Sequence, residues 1–310
     1  MNSKPNMLFY DKLVAPLKNT IHEIKEIKVE VAKIKEPFIL KGSFAYVYSL
    51  FETSLAECLR QFLLAFPERI PKEVFDIKIQ KGVLLDEPFS YNIMDAAIDN
   101  YIINITYEKF DEFLKKFSEL LSVPDYTVFY SENLAEKKER RNLLIHNNLV
   151  INRKYVLNTK CDRFSIGKCL EISKTYLTET IASILEMLVK IEVAFEQKYS
   201  QYTQAKVFKD IWYYLFDSPL MIFEKHWIIQ DNKVVGYKVD EVKKYANALS
   251  TGEKTLLAYL LRNFNSNSCD TLFRFQDIGM QVSIDDSKLA FLIELFNKYP
   301  LLLQGDTSKR

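Results

Sequence analysis

The sequence predicts a mainly α fold, and three observations carry that reading. Turn residues are scarce: the 310 residues include 7 glycines and 9 prolines, fewer than doubly wound or all-β folds consume. Apolar residues recur at helical spacing through most of the chain. The composition, 48% hydrophobic and 27% charged, is that of a folded protein long enough to bury a core and to divide into two domains. The expected architecture is a helical bundle followed by a second, mostly helical C-terminal domain.

Each element has a sequence reason. Residues 8–34 read as one or two amphipathic helices, with Ile21, Ile24, Ile27 and Val31 on one stripe. Pro37 closes that unit, and residues 1–39 form an N-terminal helical extension. Gly42 and Ser43 open a second helix from Phe44 to Phe66, stopped by Pro67 and striped by Val47, Leu50, Phe51, Leu55, Cys58, Leu59 and Phe62. Residues 68–105 are ambiguous: VFDIKIQ and YIINITY alternate like strands, whereas MDAAIDN looks helical. Residues 107–122 return to helix, and Pro124 stops it. Asn133 or Ser131 caps the next helix, which runs into His146, and HNNLVINRKYVLN reads as its end and a turn. A long helix then spans Gly167 to Tyr199. Residues 40–200 thus form the bundle, and the polar run Glu196–Lys206 is the boundary. The C-terminal domain, 206–310, carries a small hairpin in WIIQDNKVVGYKV around Asp231 and Asn232.

Several classes are disfavoured. The longest apolar stretches, such as Ile181–Val189, are too short to cross a bilayer and carry a Glu. The first residues lack a signal-peptide core. Cys58, Cys161, Cys169 and Cys269 have no CxxC spacing, so reduced structural thiols and a cytoplasmic location are expected. With His22, His146 and His226 as its 3 histidines, the chain is expected to hold no metal and no cofactor. Net charge is +1, but it is unevenly spread. From Lys137 to Lys174, ten basic side chains face three acidic ones, so the window carries +7 and the remainder −6. Such an island suits a polyanion, although a solvated helix face is the plainer explanation.

Within that island, EKKERRNLLIHNN sets Arg141, Asn142 and His146 on one helix. Asn142 and His146 are i and i+4 and share a face. Leu143, Leu144 and Ile145 are expected to anchor the helix to the core. Cleaving RNA without a metal needs a base for the 2′-OH, an acid for the leaving 5′-oxygen and a cation for the phosphorane. Histidine suits the proton transfers. Arginine binds a phosphoryl group through its fork. Asparagine can orient a phosphate oxygen or hold the histidine tautomer. The plain alternatives are a helix-terminal histidine on backbone carbonyls and an Arg141 salt bridge to Glu136 or Glu139. Lys137, Lys138, Arg140, Arg153, Lys154 and Tyr155 are candidate RNA-binding residues, the cations for phosphate and the aromatic for base stacking.

The stretch resembles the signature of the HEPN superfamily: an arginine followed by a polar residue, then a histidine after four to six residues. Arg141, Asn142 and His146 match it. The resemblance covers residues 40–200 by helix order. It implies an HEPN-like bundle, a metal-independent endoribonuclease acting through 2′-OH transesterification, and the toxin or effector role of a prokaryotic toxin–antitoxin or anti-phage system. It also implies a partner that restrains the activity. A homodimer is expected as well. Arg141 and His146 diverge by about 140° around a regular helix, and a two-fold axis would supply a second histidine. Two other readings compete: a non-catalytic HEPN-like module that binds nucleotide, RNA or protein, and a helical scaffold or regulator acting through 206–310.

Two further motifs have plainer explanations. Ser250–Glu253 looks like an ABC-type signature, but no P-loop accompanies it and a capping box fits. His226 beside Trp227 is expected to be a packed core residue.

Overall fold

The structure is a computed structural model that describes residues 4–69, 71, 90–159, 161–216, 218–262 and 285–298. It is mainly helical, and among the described residues the only sheet is a two-stranded hairpin. No described helix is long and apolar enough to cross a membrane. The chain divides into two compact units, Tyr10–Ser200 and Gln201–Arg310 with Met1–Phe9. The first 39 residues, set apart by the sequence as an extension, are therefore shared between the two.

The first unit contains α1 (Tyr10–Val31), α2 (Pro37–Ala65), α3 (Ser90–Thr106), α4 (Phe110–Leu121), α5 (Thr127–Asn147), α6 (Arg153–Thr159) and α7 (Lys174–Tyr199). Its stripes follow the 3.6-residue period. Leu13, Leu17, Ile21 and Ile24 of α1 are buried, as are Phe44, Val47, Phe51, Leu55, Leu59 and Phe62 of α2, and Ile181, Ile184, Leu188, Ile191 and Phe195 of α7. These three helices pack together, and α5 packs on α2, α4, α6 and α7. Each fully buried aliphatic or aromatic side chain contributes about 1.5–3 kcal/mol.

Some boundaries differ from the sequence reading for local reasons. Pro37 does not close α1; it stands at the first position of α2, where a preset φ and a missing N–H cost nothing. Gly42 and Ser43 consequently lie inside α2. YIINITY is the end of α3 and not a strand, whereas VFDIKIQ lies outside the described residues. Ser131 and Asn133 lie within α5, whose N-cap is Tyr126. The long C-terminal helix of the bundle begins at Lys174, where the Ser173 side chain caps the Tyr176 N–H.

The second unit contains α8 (Gln204–Leu215), α9 (Phe223–His226), β1 (Trp227–Gln230), β2 (Lys233–Tyr237), α10 (Val239–Ala246), α11 (Thr251–Arg262) and α12 (Asp286–Lys298). Phe208, Trp212, Phe216, Phe223 and Trp227 fill its core. The hairpin forms where expected. Gln230 pairs with Lys233, and Asp231 and Asn232 both take positive φ, 47° and 60°, as a two-residue turn requires. Ser250 and Glu253 form the expected capping box, with Ser250 N donating to Glu253 Oε2 at 3.0 Å and Glu253 N to Ser250 Oγ at 3.3 Å. His226 is fully buried between Trp212 and Tyr245.

Candidate functional site

Helix α5 sets the site. Its end is imposed by Asn148 and Leu149, which both take left-handed backbone angles (φ 45° and 64°). Leu149 N–H returns to the Leu143 carbonyl at 3.0 Å, and the helix stops one residue beyond His146. The chain is then clasped by residues 167–170: Ile151 N donates to Lys168 O, Gly167 N to Ile151 O, and Leu170 N to Leu149 O, all at 2.9 Å. Asn152 caps α6 by accepting from Tyr155 N at 2.9 Å. His146 and Lys154 are thereby held beside each other's helices. Of the three apolar residues expected to anchor α5, Leu143 is buried, whereas Ile145 is 53% exposed.

Arg141, Asn142 and His146 line one cleft of about 520 Å³. Its other walls are Glu52, Thr53 and Ala56 of α2, Thr106 and Tyr107 at the end of α3, Lys138 of α5 and Lys154 of α6. Helical geometry explains the convergence. Taking Lys138 as zero, a step of about 100° per residue puts Arg141 near −60°, Asn142 near 40° and His146 near 80°. Arg141 and His146 do diverge by about 140°, but the cleft embraces that whole arc with Asn142 at its middle. The divergence is therefore no reason for a second chain to complete the site.

Arg141 is a half-buried, positioned cation. Its Nη1 donates to Asn142 Oδ1 at 3.1 Å, its Nη2 pairs with Glu52 Oε2, and its guanidinium lies 5.8 Å from the centre of the Tyr48 ring. Its Nε is buried with no partner among the described residues, and burial lowers the guanidinium's pKa from the ordinary value. The salt bridge expected to Glu136 or Glu139 is made to Glu52 instead. The Asn142 side chain accepts from Arg141 and makes no hydrogen bond to His146 among the described residues. His146 is exposed and makes no hydrogen bond or ion pair among the described residues.

The candidate RNA-binding residues separate sharply. Arg153 and Lys154 are exposed. Lys138 reaches the cleft, but its ammonium is already held by the carbonyls of Thr106 (2.7 Å) and Glu108 (2.9 Å) and lies 3.7 Å from Glu52. Burial lowers the pKa of both Lys138 and Lys137. Lys137 is buried, donates to Asn133 and lies 5.5 Å from the Tyr176 ring centre.

Arg140 and Tyr155 belong to a different structure on the other face of α5. The Glu136 carboxylate accepts from Arg140 Nε and Nη2 at 2.7 Å, and from the hydroxyls of Tyr155 and Tyr176 at 2.6 Å each. Arg140 also stacks on Tyr176 at 4.0 Å. Tyr155 is 3% exposed and packs with Leu143, Ile151 and Val156. The reading of Tyr155 as a base-stacking ring is thus corrected: sequence showed an aromatic beside two cations, but α6 turns it inward. The exposed aromatic at the cleft is Tyr107, 84% exposed. Sequence reasoning missed it and Glu52; an aromatic just past a helix end was the available signal for Tyr107.

Among the described residues no group of three or more His, Cys, Asp or Glu is arranged to hold a metal. Cys58, Cys161 and Cys169 are free thiols, and Cys269 lies outside the described residues. No family model, no curated protein and no solved structure matches the chain.

Proposed function

We propose that the α5 cleft binds the phosphodiester backbone of RNA and cleaves it by attack of the 2′-oxygen, without a metal ion. The observation that supports this reading is the meeting of Arg141, Asn142 and His146 on one open cleft, with an exposed cation, Lys154, on its wall. In this scheme Arg141, steadied by Asn142, faces the phosphoryl oxygens, where a fixed guanidinium stabilises the charge that develops in the phosphorane. His146 moves a proton at neutral pH. Lys154 neutralises a neighbouring phosphate, and Tyr107 offers a face for a base. The products are a 2′,3′-cyclic phosphate and a 5′-OH. With the resemblance to HEPN ribonucleases, the proposal extends to a toxin or defence effector restrained by a partner protein. The role of 206–310 is not part of it.

The ion pair between Arg141 and Glu52 favours a second reading, a cleft that binds a nucleotide phosphate without cleaving. One assay separates them. The full chain is incubated with total RNA, with and without EDTA, beside His146→Ala. The expected outcome is cleavage that persists in EDTA and falls about 10²–10⁴-fold in the variant, with circular dichroism unchanged. Binding without cleavage by the wild type supports the second reading. Activity lost to EDTA and restored by magnesium contradicts the mechanism.

A further inference from the structure

We infer that Glu52 is a second proton-transfer group of the cleft, the base that accepts the 2′-OH proton while His146 acts as the acid. The inference rests on the proposed ribonuclease reading and supplies what that reading lacks. Strand cleavage needs a base and an acid, and the cleft holds one histidine. His226 lies in the core of the second unit, and His22 is an exposed residue of α1. Of the other ionisable wall residues, Lys138 is held as a donor by two backbone carbonyls, and among the described residues Glu52 is the carboxylate that lines the cleft and can accept a proton.

Its position fits a base and fits poorly with a purely structural acid. The side chain is 16% exposed, so the carboxylate is drawn out of bulk water yet opens on the cleft. It stands across the cleft from α5, on α2, so a phosphodiester seated on Arg141 lies against α2 on one side and α5 on the other. One oxygen, Oε2, is held by Arg141; the other, Oε1, is 3.7 Å from Lys138, beyond hydrogen-bond distance, and retains free lone pairs. The groups facing Glu52 are Arg141, Lys138 and His146 from α5, Lys154 from α6 and Tyr107 from the end of α3. The same Arg141 touches both base and phosphate, which fixes the distance between them.

The step balances without a further reactant. The 2′-O–H proton passes to Glu52 as the 2′-oxygen forms its bond to phosphorus. The bond from phosphorus to the 5′-oxygen breaks, and the imidazolium of His146 gives its proton to that oxygen. Neutral His146 and protonated Glu52 then exchange protons with water. The complete set lies within one chain.

The test uses the full-length chain and a fluorescently labelled single-stranded oligoribonucleotide containing all four bases, with its 2′-deoxy counterpart as a binding probe. Wild type, His146→Ala, Glu52→Gln and Glu52→Asp are compared under single-turnover conditions from pH 4.5 to 8.5, with folding checked by circular dichroism. The expected result is a fall of about 10²–10⁴-fold for Glu52→Gln, with deoxy-probe affinity equal to or tighter than wild type. The acidic limb of the pH profile should vanish in Glu52→Gln and persist in the slower Glu52→Asp. Cleavage by Glu52→Gln at or above the wild-type rate overturns the inference and makes Glu52 an anion that competes with phosphate for Arg141. A slow Glu52→Gln with an unchanged acidic limb also overturns it and leaves a positioning residue. In both cases, loss of cleavage in His146→Ala leaves the ribonuclease reading standing. A wild type that binds the probe and cleaves no RNA overturns both.

Discussion

Two adjacent arginines on α5 have opposite surroundings. Arg140 is engaged on three of its five donors: Glu136 takes two, Glu171 O accepts a third at 3.3 Å, and Tyr176 covers its face. Burial works against its charge, yet Glu136 with Tyr176 and Tyr155 leaves its pKa raised. Arg141 opens on a cleft, keeps a buried Nε without a partner among the described residues, and has its pKa lowered by burial. A step of about 100° around the helix separates a cation that fastens α5, α6 and α7 from one available to a ligand. A basic run in a sequence is therefore not one footprint. It divides by helix face into cations that are consumed by the fold and cations that remain for chemistry.

The largest expected effect lies on the cleft side. Arg141→Lys keeps a charge near Glu52 but removes the fork, and cleavage should fall by about 10²–10³-fold with little change in thermal midpoint. A single-turnover assay beside a melt checks this. Equal cleavage by the lysine variant would mean that only charge matters there.

The next effect lies on the other face of α5, at the clasp that Glu136 makes with Arg140, Tyr155 and Tyr176. Glu136→Ala strands Arg140 and two tyrosine hydroxyls, at a cost of about 3 kcal/mol. For a unit of this size that lowers the thermal midpoint by about 6–12 °C. Cleavage per folded molecule should stay close to wild type. Urea titration followed by circular dichroism measures the loss. A destabilisation below about 1 kcal/mol would show that the clasp is ornamental.

A smaller effect belongs to the second unit. His226 Nδ1 donates to the Ile222 carbonyl at 2.6 Å, and among the described residues its buried Nε2 has no hydrogen-bond partner. Burial lowers its pKa, opposed by that hydrogen bond and by Glu241, and reinforced by Lys225 and Lys238. The unfolded chain binds a proton near pH 6.5 and the folded unit does not. Stability is therefore full above about pH 6.5 and falls as pH drops from there toward the lower folded value. Melting curves between pH 7.5 and 5.5 should show this decline, and His226→Leu should flatten it. A wild-type midpoint independent of pH in that range would contradict it.

The smallest effect is at Lys154, exposed on the cleft wall. Lys154→Ala should weaken binding of single-stranded RNA a few-fold and reduce the salt dependence by about 0.7 in log–log slope. Fluorescence polarisation from 50 to 200 mM salt measures it. An unchanged slope would remove Lys154 from the contact surface.

What the sequence made legible follows the range of the interactions involved. The hairpin turn at Asp231 and Asn232 and the capping box at Ser250 are short motifs that appear where expected, and the stripes of α1, α2 and α7 are local periodicities that appear in their main residues, although α2 and α7 start elsewhere and Ile27 and Leu50 are only partly buried. Arg141, Asn142 and His146 were legible because one helix carries all three. Glu52 was not, since 89 residues separate it from Arg141 and it is one of several polar residues of α2, beside Thr53, Ser54, Glu57 and Arg60, with nothing local to single it out. Lys137, Arg140 and Tyr155 misled for the converse reason. Their types suit RNA, but Glu136 and Tyr176, which consume them, act from a neighbouring turn and a distant helix. The two-fold shared site was inferred from angular divergence and from the single histidine of the motif; the first argument overlooked the width of a cleft, a tertiary quantity that helical spacing does not contain.

The division of α5 into a ligand face and a fastening face is tested most directly by measuring Arg140→Gln and Arg141→Gln side by side, each for RNA cleavage per folded molecule and for thermal midpoint. The expected result is a split in cleavage per folded molecule: Arg140→Gln lowers the midpoint and retains cleavage, whereas Arg141→Gln, which also loses stability by leaving Glu52 without this ion-pair partner, loses cleavage. Two variants that lose stability and cleavage in parallel, or an Arg141→Gln protein that cleaves at the wild-type rate, would contradict it.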